Sequence, residues 1–257
     1  DGGAAGAVRG VRGGGVKAPL TASDLAFLRE HGYADEAALE KVNSTATQLA
    51  RIILAKDKGA RGEAMQAASE FANLLRQATG LAKAIPTAEF VKLLLESGEP
   101  VVLGGWHHSV YNIWRDHLKA YNPAFYTGAE SEAQKQRARD DFTSGRTNLF
   151  ILSLRSGIGI DGLQHRCRTV VLGEFDWTDS VHKQFIGRVH RDGQKSPVFA
   201  YFMTSNAGSD PIMIQTLGLK RDQSEGVMNL GASEILADGV AENHIRKLAE
   251  DFLARRR

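Results

Sequence analysis

Apolar positions along the chain follow two regimes that meet at Pro100. Before it they recur at three and four residues, the spacing that lays one apolar stripe along a helix. Leu39, Val42, Ala46, Leu49 and Ile53 form one stripe, and Met65, Ala68, Phe71 and Leu75 form another. Thr21 with Asp24 fits a capping box ahead of an earlier helix, and His31-Gly32 fits its stop. The second stripe is expected to end near Thr79-Gly80. Pro86 then precedes a short helix through Leu93 and Leu94, stopped by Ser97-Gly98. Residues 21–98 therefore read as an all-helical layer.

After Pro100 short apolar runs alternate with helical patterns. Residues 101–103, 124–127, 149–152, 169–172 and 198–203 are the expected strands. Val110, Ile113, Trp114, His117 and Leu118 mark the face of one helix, and residues 130–143 form a polar helix stopped at Ser144-Gly145. Val181, Phe185 and Val189 mark a third, with Thr178 as its N-cap. Strands apolar on both faces, separated by helices, are the pattern of a parallel sheet with helices over it. A last helix is expected near residues 233–254, with Arg255, Arg256 and Arg257 suiting its C-terminal end. The fold class is thus α/β, with a helical layer ahead of the sheet and a helix behind it. The expected units are a Gly-rich tail over 1–20, a helical extension over 21–98, an α/β lobe over 99–206 and a helical segment over 207–257.

Composition narrows the function classes. No run approaches the ~20 apolar residues that span a bilayer, and the start carries no charged-apolar-small leader. One cysteine, Cys167, excludes a disulfide framework and a multi-Cys metal site. An intracellular protein is expected, and the start at Asp1 reads as a piece of something longer. Net charge is only +2, but residues 135–200 carry 11 Lys and Arg against 7 Asp and Glu. A local basic excess favours phosphate-bearing ligands.

Several motifs are absent. There is no G-x-x-x-x-G-K-[ST] phosphate loop, no H-E-x-x-H and no G-x-S-x-G. Gly157, Gly159 and Gly162 do spell G-x-G-x-x-G, with Asp176 following Gly157 by 19 residues. Yet only six residues separate Gly162 from the strand at Thr169, and a parallel crossover needs about a dozen or more. That spacing argues against a nicotinamide dinucleotide site. Trp106, His107 and His108 lack a third metal ligand, so loop structure or nucleic-acid contact suits them better. Cys167 reads as a small buried residue ahead of a strand.

The segment after the fourth strand reads Gln184-Phe185-Ile186-Gly187-Arg188-Val189-His190-Arg191-Asp192-Gly193-Gln194. At helical spacing Val181, Phe185 and Val189 face the core, while Gln184, Arg188 and Arg191 share an adjacent face. Two guanidinium groups one turn apart can clamp phosphate oxygens with forked hydrogen bonds. Gly187 inside a helix costs ~1 kcal/mol, which a close approach by a ligand or another backbone would explain.

This segment resembles motif VI of the superfamily-two helicases in their Swi/Snf-like branch. Asp176-Trp177 resembles that branch's D-W-N-P, with Thr178-Asp179 in place of the last two residues. Residues 152–161 resemble motif V, one residue shorter. Residues 101–106 resemble motif IV, and residues 125–128, with Arg137 and Phe142, resemble the strand-glycine-helix element between them. The motifs run in the family's order across residues 100–204.

The resemblance implies the second of two RecA-like lobes, with ATP and Mg2+ held mainly by a first lobe that carries the P-loop. It implies Arg188 and Arg191 as arginine fingers and Gln184, Gly159 and Asp161 on the nucleotide side. Ser153, Arg155 and backbone amides near Gly128 would contact the nucleic-acid backbone, with duplex DNA favoured by the Swi/Snf-like spelling. No metal ligand is expected on this lobe. The resemblance places the protein in the cytoplasm or nucleoid of a prokaryote or virus, or in a eukaryotic nucleus. Two rivals stay open: a solitary lobe that binds nucleic acid or a partner without catalysis, and a dinucleotide oxidoreductase resting on the glycine run.

Overall fold

The computed structural model describes residues 47, 48, 50–54, 61–156, 160–205, 208–217, 246, 249, 250, 253 and 254. The tail over 1–20, the helix expected after Thr21, most of the first apolar stripe and Gly159 lie outside the described residues.

Five strands form one sheet: β1 (Val101–Gly105), β2 (Ala124–Tyr126), β3 (Leu149–Ser153), β4 (Thr169–Leu172) and β5 (Phe199–Phe202). Their order is β2-β3-β1-β4-β5, and every pairing is parallel. The three central strands are buried along their whole length, which is why they read as unbroken apolar runs.

The period of two along each strand sorts the core into two layers. Val102, Phe150, Leu152, Val170 and Leu172 face one side. There they meet α3 (Glu132–Thr143) through Ala138 and Phe142, α4 (Asp179–Ile186) through Phe185, and α5 (Asp210–Leu217) through Met213. Val101, Leu103, Leu149, Ile151 and Val171 face the other side. They meet α1 (Arg61–Glu96) through Ala84, Ala88 and Val91, and α2 (His108–His117) through Val110, Ile113 and Trp114. A third cluster joins Ala67, Phe71 and Leu75 of α1 to Ile53, Ile212 and Ala249.

Helix α1 departs from expectation. One helix of 36 residues runs through both Gly80 and Pro86. Pro86 lacks the N–H that a helix interior uses, but it lies on the exposed side. Thr87 Oγ1 donates to Lys83 O at 2.7 Å and Trp114 Nε1 to Ala84 O at 3.0 Å, so nearby carbonyls keep partners. Packing of Ala84, Ile85, Ala88 and Val91 overrides the local break.

Helix α4 is shorter than its periodicity suggests. It ends at Ile186, with Gly187 as its C-cap. Beyond it, Arg188 N and Val189 N bond three residues back, to Phe185 O and Ile186 O, so the chain winds tighter. Gln184, Arg188 and Arg191 therefore do not share one helix face. A Cβ on Gly187 would stand 3.0 Å from Lys183 O, so the chain's own backbone accounts for this glycine.

Candidate functional site

The carboxyl ends of all five strands lie on one edge of the sheet, where open α/β folds form their ligand crevices. Trp106, His107, Thr127, Gly128, Arg155 and Asp176 follow the ends of β1, β2, β3 and β4 on this edge, and Ser153 closes β3 there. At the end of β2, Thr127 and Gly128 turn the chain, Gly128 with φ +115°. Their amides and the Thr127 hydroxyl surround the Glu130 carboxylate. Thr127 N donates to Oε2 at 2.6 Å, Gly128 N at 3.2 Å and Thr127 Oγ1 at 3.0 Å. Burial acts to raise the Glu130 carboxyl, but these bonds outweigh it and hold it below its ordinary range. The amides expected to meet phosphate thus already hold an anion.

Ser153 closes β3 and is buried. Arg155, two residues on, grips Asp176 with both arms of its guanidinium, Nε to Oδ2 and Nη2 to Oδ1, each at 3.0 Å. Asp176 is fully buried and also meets Arg76 Nη1 of α1 at 3.5 Å and the Thr178 amide at 3.0 Å. Burial would raise its carboxyl, but the Arg155 bonds and the Arg76 charge keep it low. Thr178 is the N-cap of α4 but makes no side-chain cap bond. The neighbouring Asp176 serves its amide instead. Both guanidinium groups also lie over the Trp106 ring, Arg76 at 4.9 Å and Arg155 at 5.2 Å.

Glu174, 1% exposed, organises the loop after β1. Its Oε2 accepts the Trp106 amide at 2.7 Å and the His107 amide at 3.0 Å. Its Oε1 meets His107 Nδ1 at 2.5 Å. His107 is thereby committed to a carboxylate, and among the described residues no group of three or more His, Cys, Asp or Glu could hold a metal ion. A cleft of about 500 Å3 opens beside this loop, lined by Gln66, Glu70, Asn73 and Gln77 of α1 with Trp106 and His107.

The two arginines of the motif VI segment differ. Arg188 is 8% exposed, and its Nη1 donates to Ser156 O. Burial holds its guanidinium below its ordinary range, and no carboxylate pairs with it among the described residues. Arg191 is exposed, with Nη1 3.4 Å from Asp161 Oδ1 and 3.4 Å from Ile160 O. Asp161 also accepts from Gly162 N at 2.9 Å and Gln164 Nε2 at 3.0 Å. Arg188 and Arg191 thus reach the 152–161 segment through three contacts, to Ser156, Asp161 and Ile160. Gln184 is exposed on α4.

Sequence reasoning missed Arg76, Glu174 and the full part of Asp176. The carboxylates carried a signal, since Glu174 and Asp176 lie two and four residues past the apolar strand that ends at Leu172. Arg76 carried none, because it sits within an apolar helix face. Between Gly162 and β4 the chain makes only a 3-10 turn, Leu163–His165. No crossover helix follows the glycine run, and the buried Asp176 is not placed to meet a ribose. Cys167 is buried, and burial pushes its thiol up to about 12, so it is no nucleophile.

No protein-family model matches the chain. It is 30% identical over 152 residues to the DNA repair and recombination protein RAD54B of Gallus gallus, which covers 54% of this chain and 16% of that protein. It is 27% identical over 159 residues to the chromatin remodeling factor mit1 of Schizosaccharomyces pombe, covering 60% and 10%. The chain thus spans a sixth or less of the curated relatives it matches. Among solved structures it superposes on the C-terminal part of the Fun30 ATPase domain with a TM-score of 0.51 at 15% identity, covering 82% of this chain and 74% of that one. It superposes on the Sulfolobus solfataricus SWI2/SNF2 ATPase core in complex with dsDNA with a TM-score of 0.52 at 17% identity, covering 82% and 44%. In sequence the chain is thus similar to these DNA repair and chromatin remodeling proteins, and its fold resembles that of the C-terminal part of Swi2/Snf2-like ATPase cores. Among the described residues no helix is long and apolar enough to cross a membrane.

Proposed function

We propose that this chain is the second motor lobe of a DNA-stimulated ATPase that translocates on duplex DNA, its first lobe supplying the P-loop and Mg2+. The observation that carries this reading is Arg188. Its buried guanidinium meets the Ser156 carbonyl and the Phe185 ring but, among the described residues, no counter-charge, which is costly in an isolated fold. An arriving phosphate would offset that cost, and Arg188 and Arg191 fit the γ-phosphate of a nucleotide held by a facing lobe. Bound there, ATP would supply a transferable phosphoryl group, and guanidinium groups of this kind stabilise its charge in transit. Gln184 and Asp161 would border the nucleotide, Asp161 by positioning Arg191. Gly159, which lies between Ser156 and Ile160 in sequence, would border the nucleotide as well. Ser153, Arg155 and the amides of Thr127 and Gly128 would follow the DNA backbone, contacts that read shape and charge rather than base sequence.

The test is reconstitution. The chain alone should hydrolyse no ATP. Combined with a first lobe from a Swi2/Snf2-like ATPase it should show DNA-stimulated hydrolysis, and Arg188→Ala should lower kcat by ~10³-fold or more. Full turnover by the Arg188→Ala assembly would refute the assigned role. Duplex binding without any hydrolysis would favour a non-catalytic binding module.

A further inference from the structure

We propose that Glu130 is the chain's own anion seated in the phosphate position, and that it sets the affinity of this edge for DNA. The inference rests on the nucleic-acid contact proposed above and concerns a residue that the reading does not use. The Glu130 carboxylate is held by two backbone amides and one hydroxyl, a donor set that suits a phosphate oxygen equally well. Among the described residues no Lys or Arg forms an ion pair with it. Helix α3 does not need it as a cap, because Ser131 and Gln134 already form a reciprocal capping box. Nothing lies within 4 Å of where a Cβ on Gly128 would stand, so the face of this turn is open to a ligand. The turn also neighbours Ser153, since Tyr126 pairs with Leu152 one residue earlier in each strand. Two anions cannot share these donors, because like charges at contact distance repel strongly. A DNA phosphate must therefore displace Glu130, and the energy of displacement is subtracted from binding.

The test uses the 257-residue chain, a labelled DNA duplex and fluorescence anisotropy at low salt. Glu130→Gln removes the charge and leaves the amides contested only by a neutral group. Glu132→Gln removes the same charge two residues away, where the side chain is 87% exposed and paired with Lys135. Glu130→Gln should tighten duplex binding about tenfold, and Glu132→Gln less than about twofold. In the unsubstituted chain the Thr127 and Gly128 amide resonances should shift when duplex is added, as DNA replaces the carboxylate. Equal effects of the two substitutions, or amide resonances that stay fixed while DNA binds, would overturn the role of Glu130 and leave the DNA contact standing. Absence of duplex binding by all three proteins would instead overturn the DNA contact itself.

Discussion

His182 is fully buried, with its ring edge-on to Phe175 and Phe202, and its Nε2 accepts the Asp176 amide proton at 2.9 Å. The ring must therefore be neutral, with its proton on Nδ1. Protonation would destroy that acceptor and bury a cation. Burial accordingly lowers its pKa to about 4, more strongly than the nearby Asp176 charge raises it. An unfolded histidine titrates near 6.5, so between about pH 4 and 6.5 the unfolded chain binds the extra proton. Stability from this group is complete above about pH 6.5 and is lost as pH falls toward 4. Urea unfolding should give a free energy about 2 kcal/mol lower at pH 5 than at pH 7. His182→Gln keeps an acceptor but cannot titrate, and it should flatten that dependence. An equal loss in the variant would assign the effect to other groups.

Helix α1 shows how one element can serve a site it never enters. Gly80 faces Glu174, and a Cβ there would stand 2.4 Å from Oε1 and 2.9 Å from the carboxyl carbon. A flexible side chain could swing aside, but Glu174 is committed to the Trp106 and His107 amides and to the His107 ring. In an exposed helix Gly→Ala stabilises by up to ~1 kcal/mol. Here Gly80→Ala should destabilise by about 1–3 kcal/mol, because overpacking breaks those bonds. Denaturation should report the loss, and the Trp106 amide resonance should move with it. The same residue explains why α1 was misread. Thr79-Gly80 spells a helix stop, and nothing local reveals that a carboxylate from residue 174 must fit against it. The end of α4 was misread for a related reason. Val189 continues the apolar spacing, yet the hydrogen bonds tighten after Gly187 and turn Arg188 inward. The five strands were legible because burial on both faces demands uninterrupted apolar runs. The ion pairs of Arg76 and Arg155 with Asp176 were not, because they join α1 to the ends of β3 and β4, far apart in sequence.

Taken whole, the chain is nearly neutral, and the edge proposed for DNA offers few free cations. Net charge is +2. Arg155 is half-exposed but shared with Asp176, and the Thr127 and Gly128 station consists of uncharged donors. Arg188 and Arg191 are assigned to the nucleotide, and Arg137 on α3 is exposed. Counterion release scales with the cations that neutralise phosphates, about 0.9 in log–log slope for each on duplex DNA, whereas neutral donors release none. The lone chain should therefore bind duplex weakly, with a salt slope of only about −1 to −2. The slope should steepen when a first lobe adds its own basic residues. Anisotropy titrations between about 50 and 200 mM salt measure it directly. A slope of about −6 or steeper for the chain alone would mean that DNA lies on another surface. A shallow slope that changes little in Arg155→Ala would mean that Asp176 keeps that guanidinium from the phosphate, leaving the amide station as the principal contact.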